Sequence, residues 1–129
     1  MSSLALIFAG TISIVAGLIH SWLGERRLLG PVLASMAEGS VARRVLRYAW
    51  HLTSLAWVAI GAVLVALALS PPDRLGFSVL LIVTVLLWLN GLISFLAGGV
   101  RHIGWPLFCA AAAAATLVLF GLWPVAGSA

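Results

Sequence analysis

The sequence predicts an all-α fold, a bundle of four transmembrane helices with a short amphipathic helix between the first and the second. Four apolar runs fill most of the 129 residues, at 4–23, 48–69, 75–97 and 105–125. Each run is long enough to cross the hydrocarbon core of a bilayer as a helix. Charged residues make up only 8% of the chain, whereas soluble domains carry about 25%. Residues 1–129 are therefore expected to form one integral membrane domain.

The first run is expected to be an uncleaved span, because its arginines follow it and no basic segment precedes it. In the segment 24–47, Pro31 suits a first helical turn and Gly39 suits a helix end. Apolar residues recur between them at helical spacing, which predicts an amphipathic helix lying at the membrane surface. Ser40 is then expected to cap the second span.

The second and third spans are joined by the sequence Ser-Pro-Pro-Asp at positions 70–73. Proline ends a helix, and Asp73 is placed to accept a hydrogen bond from the first turn of the next one. So short a connection predicts that spans two and three form an antiparallel pair. The fourth span contains six consecutive alanines and the single cysteine, Cys109, which has no partner for an internal disulfide.

The basic residues are all arginine, and six of the seven fall in the loops after spans one and three. By the positive-inside rule, that side is cytoplasmic and both termini lie outside. Arginine without lysine suggests a GC-rich bacterial source, so we expect the bacterial inner (plasma) membrane. The arginines flank spans, where they meet anionic lipid headgroups. Nucleic-acid binding is not expected, although the pI is about 11.3.

Small residues at helical spacing predict where helices pack, because they allow two backbones to approach closely. In the first span these residues are Ala9, Ser13 and Gly17, and in the third they are Gly91 and Ser94. The pattern fits packing within one bundle and packing between copies equally well. A homo-oligomer or a larger membrane complex therefore stays open as the partner.

Three histidines and a glutamate are the candidate metal ligands. His20 lies one turn before the end of span one and His51 one turn into span two, so antiparallel helices place them at similar depth. His102 and Glu25 belong to the same side. Imidazole and carboxylate bind zinc, iron or copper, and two histidines can hold a haem iron. A transition metal or haem is thus one hypothesis for an otherwise unknown cofactor.

The alternative is that each histidine bonds locally, His20 to the adjacent Ser21 and His51 to Ser54 one turn on. Asn90 and Ser94 define a second candidate site, a polar path for an ion, although Asn90 is equally suited to bond between helices. No Asp, Glu, Lys or Arg lies deep in a span, which disfavours ion-coupled transport.

The sequence has no nucleophile–base pair, phosphate-binding loop or pair of carboxylates, so no enzyme is expected. The leading prediction is a non-enzymatic accessory or self-associating bundle. The alternatives are a metal- or haem-binding membrane protein and a small ion channel.

Three strings lie at the cytoplasmic ends of the spans: GLIHSWLGERRLL at 17–29, RYAWHLTSLAW at 47–57 and RHIGWP at 101–106. Together they resemble a group of small four-helix bacterial inner-membrane proteins that carries no assigned activity. The resemblance covers the cytoplasmic half of the bundle. It implies the same location and architecture, and no chemistry.

Overall fold

Helices account for almost all of the computed structural model, which describes residues 2–71 and 73–126. The elements are α1 (Ser2–Gly24), a π-helical turn (Glu25–Leu29), α2 (Gly30–Ala34), α3 (Val41–Leu69), α4 (Arg74–Gly98) and α5 (Gly104–Ala126). Four helical runs are long and apolar enough to cross a membrane: Ser3–Ala34, Val41–Leu69, Arg74–Gly98 and Gly104–Gly121. The described residues thus form an all-helical structure, and the four candidate spans make it a multi-pass membrane protein, as predicted from the four apolar runs.

The separate amphipathic helix predicted after span one is not seen. Instead, α1 continues through the π-helical turn into α2 and ends at Ala34. The turn lies directly before Pro31, whose ring clashes with the carbonyl four residues back in a regular α-helix. The wider π turn, closed by a bond from the Gly30 N–H to the Glu25 carbonyl, makes room for that ring. It also leaves Leu29 and Leu33 buried, so this segment packs on protein.

Both predicted helix caps are present. The Ser40 hydroxyl accepts a hydrogen bond from the Arg43 N–H at 3.3 Å, and α3 begins at Val41. The Asp73 carboxylate accepts from the Gly76 N–H at 2.6 Å at the start of α4. Because Ser40 caps it, α3 starts about two turns earlier than the apolar run suggested, and its first turns carry three arginines.

Helix α1 is central to the bundle. It packs most extensively on α3 and also on α5, while α4 packs mainly on α5. Helices α3 and α4, although joined by a short turn, touch at few points, so the antiparallel pair expected from that turn is not the main packing unit. The common core is apolar, with Leu64, Leu80, Leu87 and Phe108 almost fully buried.

The close approach of α1 and α3 depends on glycine. A Cβ added at Gly17 would lie 2.7 Å from the Ser54 carbonyl oxygen, and one at Gly61 would lie 2.5 Å from the Gly10 carbonyl oxygen. Real Cβ contacts are essentially never that short. Gly10 and Gly17, seven residues apart, therefore form one face of α1 that only glycine permits. Two residues of the predicted packing row, Ala9 and Ser13, are completely buried.

Candidate functional site

Polar side chains gather where α1 ends and α3 begins. This group, named here the His–Ser–Glu cluster, consists of His20, Ser21, Glu25, His51 and Ser54. Helices α1 and α3 are antiparallel, so residues late in one face residues early in the other. The glycine contact one turn deeper in the bundle holds the two backbones close enough for the short serine side chains to bridge them.

The two histidines exchange bonds across the helix interface. His20 Nδ1 lies 2.9 Å from the Ser54 hydroxyl, and His51 Nδ1 lies 2.8 Å from the Ser21 hydroxyl. Each histidine thus bonds the serine of the opposite helix, whereas the sequence had suggested Ser21 for His20 and Ser54 for His51. Two side-chain hydrogen bonds therefore join α1 to α3, and bonds of this kind stabilise the association of membrane helices.

Trp50 closes a ring of hydrogen bonds around His20. Its indole N–H donates to the His20 carbonyl at 3.1 Å, and the Ser54 hydroxyl donates to the Trp50 carbonyl at 3.3 Å. Since a hydroxyl has one proton, the network assigns the His20 Nδ1 proton as the donor to Ser54. The Trp50 and His20 rings stack at 4.2 Å and 9°. The hydrogen bonds of its ring and its carbonyl, together with the stacked Trp50 ring, therefore fix the position of His20.

Trp57 joins this end of the bundle to α4 and α5. Its ring meets His20 edge-on at 4.6 Å and Phe108 at 4.5 Å. Its indole N–H donates to the Asn90 side-chain oxygen at 2.9 Å. The Asn90 amide in turn donates to the Leu86 carbonyl at 2.8 Å. This link bridges α3 and α4, which otherwise make few contacts.

Contacts between helices therefore involve part of the candidate polar path at Asn90 and Ser94. Both ends of the Asn90 amide are hydrogen-bonded, and its oxygen forms a bond between α3 and α4. Ser94 is half-buried near the α4–α5 turn, and Gly91 packs on α5, where an added Cβ would come 2.8 Å from the Cys109 sulfur. Of the two small residues predicted for packing in α4, Gly91 makes the tight contact.

Glu25 lies between an arginine and a histidine. Its Oε1 accepts from the Arg47 guanidinium at 2.6 Å. Its Oε2 lies 3.3 Å from His51 Nε2. That oxygen is itself shielded from solvent, and it has no hydrogen-bond donor among the described residues. About a third of the Glu25 side chain is exposed (32%), so the pair faces the edge of the bundle.

His102 belongs to the turn between α4 and α5. Its Nδ1 accepts a bond from the Gly104 N–H at 3.1 Å, and its ring covers Gly98. Because Nδ1 is an acceptor, the ring proton of the neutral form is on Nε2. The described contacts of His102 thus belong to its own turn.

The predicted ligands do not form a complete metal site. Among the described residues, no three His, Cys, Asp or Glu side chains are grouped to hold one ion. An axial histidine would coordinate haem iron through Nε2, and that atom of His51 lies 3.3 Å from Glu25 Oε2. Of the four candidate ligands, only His51 and Glu25 have donor atoms placed next to each other by the described contacts.

Ser21, His51 and Glu25 also stand in the order of a nucleophile, a base and an acid, an arrangement that sequence spacing did not suggest. Acyl transfer needs, in addition, donors aimed at the developing oxyanion. Ser21 lies within α1, where each backbone N–H donates to a carbonyl one turn back. The described surroundings of Ser21 therefore favour a role for its hydroxyl in positioning His51.

Comparison with known proteins gives no matching family model, no matching curated protein and no matching solved structure.

Proposed function

We propose that this protein is a non-enzymatic accessory protein of the bacterial inner membrane, with both termini outside. It attaches through its arginine-rich end to anionic lipid headgroups and to an acidic surface of a larger membrane complex. The observation that supports this proposal most directly is the concentration of arginines at one end of the bundle, where hydrogen bonds join α1 to α3.

The charge lies at one end of the bundle. The segment 25–47 and the α4–α5 turn hold six arginines, against two glutamates. That excess equals the whole net charge of +4. The opposite end holds one Asp and one Arg, beside each other at the α3–α4 turn. An anionic partner is therefore attracted to one end only, and anionic lipid contributes about 1 kcal/mol per arginine near the surface.

The His–Ser–Glu cluster fixes the position of α1 relative to α3 at this end. Its reciprocal histidine–serine bonds, together with the Trp50 ring contacts, tie α1 to α3 directly beneath the arginines. Arg47 is oriented by Glu25, and the Arg26 guanidinium lies over the Trp22 ring at 4.7 Å. Preorganised side chains lose less entropy when they bind, so the cluster favours recognition of a fixed partner.

Site-specific photo-crosslinking in the native membrane tests the proposal. A photoreactive residue replaces Val45, which is exposed among the arginines of α3, or Leu75, which is exposed at the other end. We expect a discrete protein adduct from position 45, lost when Arg43 and Arg44 are changed to glutamine, and lipid adducts alone from position 75. An adduct at twice the chain mass would identify a second copy as the partner. Equal protein adducts from both positions would contradict the proposal.

A further inference from the structure

The pair formed by Glu25 and His51 has the geometry of two ligands on one metal ion. We infer that Glu25 Oε2 and His51 Nε2 bind a divalent transition metal of the zinc type at the membrane interface. This site goes beyond the accessory role proposed above, although it shares Glu25 and His51 with the cluster used there. It uses two of the four residues suggested by the sequence and leaves out His20 and His102, because the described contacts place only His51 beside Glu25.

The first argument is the distance between the two donor atoms. Ligands at about 2.0–2.1 Å from a tetrahedral zinc ion lie about 3.3 Å from each other. His51 Nε2 and Glu25 Oε2 are 3.3 Å apart. They do not meet the geometry of a hydrogen bond, because Oε2 has no donor in the described structure. The separation therefore fits two ligands of one ion, and Oε2 receives no hydrogen bond from a described residue.

The second argument is the shielded oxygen itself. A carboxylate oxygen removed from solvent and left without a donor raises the free energy of the folded state. A cation bound to it removes that cost. The other carboxylate oxygen already pairs with Arg47, which fixes the orientation of the group and leaves Oε2 free for an ion.

The third argument is the serine behind the histidine. Histidines that bind metal through one ring nitrogen donate the other ring N–H to a neighbouring acceptor. Ser21 lies 2.8 Å from His51 Nδ1; in the tautomer with the proton on Nδ1, its hydroxyl is that acceptor and the Nε2 lone pair faces Glu25. Ser21 is thus a positioning residue. Two protein ligands leave two positions of a tetrahedral ion for water or a lipid phosphate, so the bound ion exchanges readily.

The test is zinc titration of the full chain, purified without metal in a neutral detergent, by isothermal titration calorimetry. Cobalt absorbance reports the coordination geometry. We expect one ion per chain with a Kd below about 0.1 mM. His51→Ala and Glu25→Gln should each weaken binding at least about tenfold, as should Ser21→Ala, since loss of an outer partner typically costs 10–100-fold. His102→Ala is the matched control, because it removes a histidine from the same end of the bundle and should leave the Kd unchanged.

Thermal unfolding of the same proteins gives a second readout. Zinc should raise the midpoint of the unmodified chain and of His102→Ala, since an ion that binds the folded state stabilises it by mass action. It should not raise the midpoint of His51→Ala. The unfolding temperature without metal verifies that each variant is folded. Binding weaker than about 1 mM, or an equal loss of affinity in His51→Ala and His102→Ala, would overturn the inference.

Discussion

Replacing Gly17 with alanine should destabilise the bundle far more than so small a change normally does. The added Cβ would lie 2.7 Å from the Ser54 carbonyl oxygen and 2.9 Å from Cγ2 of Val58. The nearest atom belongs to the backbone, so no side-chain rotation relieves the clash and α1 has to move away from α3. Overpacking of this kind costs about 1–3 kcal/mol.

The displacement should also weaken the ties of the His–Ser–Glu cluster, which depend on the same helix separation. Hydrogen bonds between membrane helices contribute about 0.6 kcal/mol each on average, and two histidine–serine bonds cross this interface. The expected total loss is therefore about 2–4 kcal/mol of unfolding free energy. The measurement is reversible unfolding in mixed micelles by increasing SDS, followed by tryptophan fluorescence.

Gly121→Ala is the matched control. A Cβ at Gly121 meets nothing within 4 Å, and alanine is favoured over glycine inside a helix by about 1 kcal/mol. This change should be neutral or stabilising. A harsher pair, Gly17→Leu against Leu18→Ala, should show the same order, because Leu18 is 59% exposed and its truncation opens no cavity. If Gly17→Ala and Gly121→Ala differed by less than about 0.5 kcal/mol, the reasoning about the glycine contact would be refuted.

Two further predictions concern the α3–α4 link and the orientation in the membrane. Trp57→Phe keeps the aromatic contacts but removes the indole N–H, so it should cost about 1 kcal/mol of unfolding free energy. The double variant Trp57→Phe/Asn90→Leu should lose less unfolding free energy than the sum of the two single variants. Strict additivity would mean that the bond contributes nothing. In a Cys109→Ala background, a membrane-impermeant maleimide applied to intact cells should label Ser3→Cys and not Ala37→Cys. The opposite labelling pattern would reverse the assigned topology.

The spans and both helix caps could be predicted because they depend on local chemistry. A run of apolar residues defines a membrane helix, and Ser40 and Asp73 cap by bonding a residue three positions on. The helix after span one was predicted incorrectly from Pro31. Proline at that position is typical of a helix start, and nothing local indicated that a π-helical turn would carry α1 past it.

The candidate site could be predicted only in part, since depth along a helix is easier to infer than rotation about its axis. Matched depth predicted His20 and His51 at one interface, and each lies within hydrogen-bonding distance of a serine on the opposite helix. Their partners depend on which faces of α1 and α3 meet, and that is set by Gly10, Gly17 and Gly61. Gly10 and Gly17 are seven residues apart, and Ser54 is seven residues before Gly61. A search for small residues, glycine or serine, at that spacing on both helices would have indicated the interface, and with it the exchange of serine partners.

The glycine contact and the polar cluster are two parts of one arrangement. A serine side chain reaches only a short way from its backbone, so it bonds an imidazole on another helix only where the backbones nearly touch. The Gly17–Ser54 contact provides that separation, and Ser54 itself supplies both the carbonyl that approaches Gly17 and the hydroxyl that bonds His20. One turn further toward the surface, the same alignment brings His51 beside Glu25. The packing of small residues within the membrane thus determines which charged and metal-binding groups meet at its surface.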